Sequence, residues 1–238
     1  MTADFNMQNT CYADFVAVNS TEGINKILQG NWKAETDYRT NEEILIPTSR
    51  AVGLENVFYQ PGDRFTIEIH GHDAFVNKVK LVLETKVFPY VNLKFDFVEN
   101  GGNCLIDNKW SGGGVAFNGG TRTPTVKLSN SSQFLIIHEF MHALGMQHEM
   151  QNPNIDLQWI IPAIQMKYSK GNINIFSQII NPINLEKIRA LPFDKNSVMT
   201  YPLPANTNVQ NVELKPSDEL TDIDKKWLEL TYGKKQTF

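Results

Sequence analysis

Apolar residues along the first half of the chain alternate in some stretches and recur at helical spacing in others. From residue 64 to residue 70 every second position is apolar, as in a strand with one buried face. A helix is predicted next, with Asp73 as its cap. Its apolar positions are Phe75, Val79, Val82, Leu83 and Val87. A second strand is predicted over residues 92–98, which alternate cleanly before a glycine-rich break.

Three short strands and a strongly apolar helix are predicted to follow. The strands fall at residues 104–106, 114–117 and 125–128, separated by glycine-rich turns. The helix begins near Asn130, Ser131 or Ser132, each of which could cap it. Its residues from 134 to 144 are apolar almost all round, so we expect it in the core.

Prolines punctuate the chain after residue 149 and limit its elements to short segments. Helices are predicted at residues 159–170, 173–180 and 185–191. A last helix is predicted after Ser217, its proposed cap, and Gly233 should end it. The apolar face of this helix consists of Leu220, Ile223, Trp227, Leu228 and Leu230.

Composition excludes several classes of protein. The 238 residues are 41% hydrophobic, as in an ordinary soluble globular protein, and the net charge of −4 offers no basic surface for nucleic acid. No apolar run approaches the roughly 20 residues of a membrane span, and the N-terminus lacks the pattern of a signal peptide. Cys11 and Cys104 allow at most one disulfide, so packing and a metal must supply stability.

The predicted core helix carries groups that a core helix does not need. His138 and His142 lie four residues apart, so both imidazoles project from one face of the helix, and Glu139 is placed beside them as a general base. Gly145 can end the helix in a left-handed conformation and turn the chain so that His148 returns as a third ligand. Three neutral imidazoles with an open fourth position make a hydrolytic zinc site, because zinc lowers the pKa of bound water to about 7. Burying these groups without a metal would be costly.

The pattern H-E-x-x-H-x-x-G-x-x-H, followed further along by Met199, resembles the metzincin clan of zinc endopeptidases. In that clan the methionine forms an apolar floor beneath the zinc. Glu149 directly follows the third histidine and Tyr201 comes two residues after Met199, both of which resemble astacins. The resemblance implies that Tyr201 is an additional zinc ligand at rest and stabilises the tetrahedral intermediate. Residues 152–156 keep only Asp156 of the astacin Arg-x-Asp-Arg-Asp stretch, and astacin's four cysteines are missing, which indicates a divergent branch of bacterial style.

The resemblance implies an α+β fold of two subdomains. Residues 49–148 would form a twisted, mostly parallel sheet with an antiparallel edge strand and two helices above it. Residues 149–238 would form a mainly helical and irregular lower subdomain with the Met-turn, for which residues 197–201 around Met199 are the candidate. An edge strand within residues 109–128 is expected to pair with an extended peptide substrate.

Residues 1–48 are expected to be a pro-segment or leader. Metzincin pro-segments place a cysteine or an aspartate on the zinc. Cys11 is the preferred candidate because a thiolate is the better zinc ligand, with Asp4 and Asp14 as alternatives. An incidental cysteine or a Cys11–Cys104 disulfide fits equally well. If the segment is removed, the resemblance implies that Glu149 receives the new N-terminal ammonium.

These observations predict a monomeric, exported zinc endopeptidase that binds one Zn²⁺ and acts on proteins or peptides. Two alternatives remain, a catalytically silent zinc-binding module and a delivered protease toxin with an N-terminal leader. The pair His70 and His72 could bind a metal, but a solvated turn is the preferred interpretation.

Overall fold

The computed structural model describes residues 59–109, 126–168 and 191–235 in full, together with the backbone of five short strands. Strands are numbered along the chain, and these five are β1 (Glu35–Thr36), β2 (Glu43–Ile44), β3 (Val52–Leu54), β7 (Gly114–Ala116) and β9 (Ile188–Ala190). Cys11 and the helix predicted at residues 173–180 lie outside the described residues.

A five-stranded sheet forms one layer of the molecule. Its other strands are β4 (Arg64–His70), β5 (Lys94–Val98), β6 (Cys104–Asp107) and β8 (Val126–Leu128). The strand order is β5-β4-β6-β8-β7. The first four are parallel, and β7 pairs with β8 in the antiparallel sense at one edge. The predicted mostly parallel sheet with an antiparallel edge strand is therefore confirmed.

Two helices pack on this sheet. Helix α1 spans Asp73–Val82 and continues as a π-helical turn, Leu83–Val87, while α2 spans Gln133–Ala143. Buried side chains from the sheet and both helices form a single core, in which the rings of Phe65 and Phe140 lie 6.0 Å apart. This core holds α2 rigidly against the sheet.

The start of α1 corrects one prediction. Asp73 lies inside the first turn, and the cap is His72, whose Nδ1 accepts a hydrogen bond from the Phe75 amide at 3.3 Å. His70 instead pairs with Glu68, at 2.7 Å between Nε2 and Oε1. Within the described parts of the chain, neither histidine belongs to a cluster of metal-binding groups. The exposed His-Gly-His stretch connects the end of β4 to the cap of α1.

The second half contains helices α3 (Ile161–Tyr168) and α4 (Asp222–Tyr232). Strands β3 and β9 pair in the antiparallel sense, so the helix predicted at residues 185–191 is wrong over 188–190. A smaller apolar cluster lies in this half. Its buried members are Met150, Ile164, Tyr168, Tyr201, Leu203 and Leu214.

Helix α4 also begins later than predicted. Thr221, not Ser217, caps it, and Thr221 and Asp224 exchange hydrogen bonds in a capping box. Tyr232 is buried, whereas Leu230 of the predicted apolar face is 42% exposed. Gly233 ends the helix with φ 76°, as predicted.

No helix within the described ranges is both long and apolar enough to cross a membrane.

Candidate metal centre

Helix α2 carries two of the predicted ligands into the core. Ser132 caps it by accepting from the Leu135 amide at 3.4 Å. The helix is buried on nearly all sides because it lies between the sheet and the second half of the chain. His138, Glu139 and His142 are each no more than 1% exposed. The polar groups therefore lie in an environment of low dielectric constant, where an unsatisfied group is costly.

Gly145 ends α2 in the way its position predicts. Its φ is 96°, a conformation that favours glycine. The Gly145 amide donates to the His142 carbonyl at 2.8 Å, and the Met146 amide donates to the Met141 carbonyl at 2.9 Å. These two bonds form a Schellman motif. The motif reverses the chain and leads it back toward His148.

The three histidines converge. One ligand atom from each of His138, His142 and His148 lies within 4.8 Å of the others, and all three residues are buried. The Nε2 atoms of His142 and His148 are 3.1 Å apart. Among the described residues this is the group that could hold a metal ion.

Backbone carbonyls determine the tautomers of two of these imidazoles. The Nδ1 of His138 lies 2.7 Å from the Val198 carbonyl oxygen, and the Nδ1 of His142 lies 2.6 Å from that of Met146. A carbonyl oxygen can only accept, so each Nδ1 carries the proton and each Nε2 presents a lone pair. The buried Nε2 of His138 has no hydrogen-bond partner among the described atoms. The Nε2 lone pairs of His138 and His142 converge with the imidazole of His148, an arrangement that fits a divalent cation, and three imidazole nitrogens suit zinc.

Burial also holds the imidazoles in the form that binds metal. It lowers the pKa of His138 to about 4, with the hydrogen bond to the Val198 carbonyl acting in the opposite direction. Burial lowers the pKa values of His142 and His148 well below 6.5, and the neighbouring histidines lower them further. All three are therefore neutral at neutral pH, so a metal does not have to displace protons.

The remaining predicted site residues lie around this group. Glu139 is completely buried on α2, directly after His138. Tyr201 is 3% exposed, and the centre of its ring is 4.6 Å from that of His148 and 6.3 Å from that of His138. Its amide donates to the Met150 sulfur at 3.0 Å.

Met199 lies in a fully buried turn formed by residues 197–200. Two successive carbonyls of this turn accept hydrogen bonds from residues in and beside the histidine cluster. That of Val198 accepts from His138, and that of Met199 accepts from the Glu149 amide at 3.0 Å. The turn thus fixes His138 and Glu149, the residue that directly follows His148.

Glu149 is 2% exposed and directly follows His148 in the sequence. Its Oε1 accepts from the Asn152 side-chain amide at 2.8 Å and from the Asp194 amide at 2.9 Å. Burial raises the pKa of Glu149 well above 4.5, although both hydrogen bonds lower it. Asn152, at the start of the stretch that departs from the astacin pattern, is thus a buried partner of this carboxyl.

Sequence reasoning missed the contact between Ser197 and Asp224, which anchors the buried turn at residues 197–200. Asp224 lies in α4, where only a structural role was expected. It accepts from the Ser197 hydroxyl at 2.6 Å and from the Val198 amide at 3.2 Å. The Thr221-Asp224 spacing of a capping box was the available signal, but it does not indicate a contact with the turn at residues 197–200.

Comparisons with known proteins agree with this fold. No model of a known protein family matches the sequence, and no curated protein matches it. Two structures of myroilysin do match. One, at 20% identity, covers 78% of this chain and 100% of its own with a TM-score of 0.69. The other, also at 20% identity, covers 85% of this chain and 99% of its own with a TM-score of 0.52. The chain therefore shares the fold of myroilysin and carries a buried histidine triad within it.

Proposed function

We propose that this protein is a zinc-dependent endopeptidase of the astacin-like branch of the metzincins. The observation that carries the proposal is the convergence of three buried, neutral imidazoles, with a buried glutamate directly following the first of them. A zinc ion held by His138, His142 and His148 would supply Lewis acidity, which activates a water molecule and polarises the scissile carbonyl.

The other side chains would transfer the proton and stabilise the negative charge that develops on the substrate. Glu139 accepts a proton from the attacking water and delivers it to the leaving amine. The hydroxyl of Tyr201 donates a hydrogen bond to the oxyanion, since its ring already lies against His148. Met199 supports the ligands through its buried turn. Residues 1–48 would keep the exported enzyme latent, with the Cys11 thiolate on the metal.

The test is digestion of casein by four proteins: the full chain, the chain beginning at residue 49, and Glu139→Ala in each. We expect cleavage by the shorter chain, weaker cleavage by the full chain, and none by either Glu139→Ala protein. Each protein should retain one zinc ion, because Glu139 is not a ligand. Exposed Glu99→Gln serves as the control for substituting a glutamate.

Each other outcome has a defined meaning. Cleavage by Glu139→Ala would refute the assignment of the base. Zinc binding without cleavage by either chain would identify a silent zinc-binding module instead. Equal activity of the full and shortened chains would refute latency and favour a leader.

A further inference from the structure

One hydrogen-bonded chain connects a buried carboxylate of α4 to the first metal ligand. The Val198 carbonyl and the Met199 amide belong to the same peptide unit. Its oxygen accepts from the Nδ1 of His138 at 2.7 Å, and its N–H donates to the Ser197 hydroxyl oxygen at 3.0 Å. The Ser197 hydroxyl in turn lies 2.6 Å from Oδ1 of Asp224.

Every bond in this chain has a defined direction. The Met199 amide can only donate, so the Ser197 oxygen accepts there and directs its single proton to Asp224. The other oxygen of Asp224 accepts from the Thr221 and Val198 amides, at 2.9 and 3.2 Å. Asp224 is therefore an acceptor at both oxygens, and the protons of Ser197, Met199 and His138 all point toward the carboxylate along the chain.

Hydrogen bonds aligned in this way polarise one another in a medium of low dielectric constant. Ser197, Val198, Met199 and Asp224 are all completely buried, so water does not screen the chain. A carboxylate commonly bonds directly to a metal-binding histidine, fixing its tautomer and raising its basicity. Here a serine and a peptide unit stand between the two groups.

We propose that Asp224 is a positioning residue for the metal site, acting through Ser197 and the Val198–Met199 peptide to hold the His138 imidazole with Nδ1 protonated and Nε2 facing the other ligands. The inference rests on the proposed zinc site. It gives α4 a part in the chemistry, although α4 itself lies outside the metal centre.

Two substitutions break the chain while keeping the shape of the core. In Asp224→Asn the amide oxygen can keep both backbone donors, which turns the NH₂ group toward Ser197 and reverses the direction of the bond between residues 197 and 224. Ser197→Ala removes the central link and leaves the bond between Asp224 and the Val198 amide. Tyr232→Phe is the matched control. It also removes a buried hydrogen bond of α4, from the Tyr232 hydroxyl to the Leu144 carbonyl at 2.6 Å, but that bond has no link to His138.

Two measurements on the full chain test the proposal without using activity. The first is zinc affinity by competition with a chelator. Asp224→Asn and Ser197→Ala should each weaken binding about tenfold, the lower end of the range for such outer partners. Their combination should weaken it little further, because both act through one chain. The second is ¹⁵N NMR of the His138 ring in metal-free protein. Both variants should show a fraction with Nε2 protonated, which wild type and Tyr232→Phe lack.

The inference would be overturned if both variants had the same zinc affinity and the same His138 tautomer as Tyr232→Phe. It would also be overturned if the losses of zinc affinity in the two single variants added fully in the double variant. If the wild type nevertheless binds zinc tightly and cleaves protein, either of these results would leave the proposed function intact. Failure of the wild-type chain to bind zinc would refute the proposed function itself.

Discussion

At the scale of single residues, Glu149 combines nearly complete burial with two hydrogen bonds to the same oxygen. Because burial raises its pKa well above 4.5, the folded protein binds one more proton than the unfolded chain between pH 4.5 and that raised pKa. Glu149 therefore favours folding most at low pH, and the benefit is lost as pH rises through the window, by about 1.4 kcal/mol per pH unit. Glutamine in its place can keep both hydrogen bonds and does not titrate. We expect Glu149→Gln to match the wild type near pH 4.5 and to become progressively more stable than it toward pH 7.

Urea unfolding of both proteins in excess chelator, at half-unit pH steps, measures this difference without a contribution from metal. The buried histidines contribute equally to the pH dependence of both proteins, so their contribution cancels in the comparison. A difference that stays constant with pH would show that the carboxyl is ionised throughout and is stabilised by groups other than its two known partners.

The sequence could predict the residues of the site whose geometry is local. The spacing of His138, His142 and Gly145 follows from one helix and its end, so three-dimensional contacts were not required to find it. Asp224 lies 86 positions after His138, and its contact with the turn at residues 197–200 depends on how α4 packs. No pattern within α4 distinguishes such a carboxylate from an ordinary capping residue.

At the scale of elements, the distinction between local geometry and contacts distant in the chain also explains which predictions failed. Alternation identified β4 and β5, and helical spacing identified α1, because each buries one face. Strand β9 was predicted as helix, since a short apolar run has no definite period. It becomes a strand by pairing with β3, far away in the chain. Helix α4 starts late because Thr221 and Asp224 form a complete capping box, whereas the residues that follow Ser217 do not form one with it.

The end of α2 offers a prediction at this scale. Gly145→Ala should destabilise the protein by about 1–2 kcal/mol, the cost of a left-handed conformation for a residue with a Cβ. It should also weaken zinc binding, because the same turn aims the Met146 carbonyl at His142 and leads the chain to His148. Chemical unfolding and zinc competition measure the two effects.

Gly62→Ala provides a matched control for this substitution. Gly62 has φ 87°, and a Cβ added there meets nothing within 4 Å. It should therefore show the same backbone cost with unchanged zinc affinity. Equal zinc affinity in both variants would mean that the turn after α2 stabilises the fold without placing the ligands.

At the scale of the whole molecule, the candidate metal centre is where the two halves of the chain meet. Helix α2 belongs to the main core with the sheet, while Tyr201 belongs to the smaller cluster of the second half. The turn at residues 197–200 is hydrogen-bonded to α4 at Asp224 and to α2 at His138. A zinc ion bound by His138, His142 and His148 should therefore stabilise the whole fold, since these ligands converge only in the folded chain.

We expect thermal unfolding to depend on zinc concentration. A ligand that binds only the folded state stabilises it by about 4 kcal/mol at 1,000 times its dissociation constant. For a chain of this size each kcal/mol raises the melting temperature by about 2–4 °C, so saturating zinc should raise it by about 8–16 °C. His142→Gln is the control, because it removes one ligand and should abolish most of the shift. A melting temperature that does not respond to zinc in the wild type, or responds equally in His142→Gln, would mean that the three imidazoles do not hold the metal. The sharpest form of the test adds Asp224→Asn. If α4 holds His138 in place, zinc should raise the melting temperature of Asp224→Asn by less than that of the wild type and by more than that of His142→Gln, at the same zinc concentration.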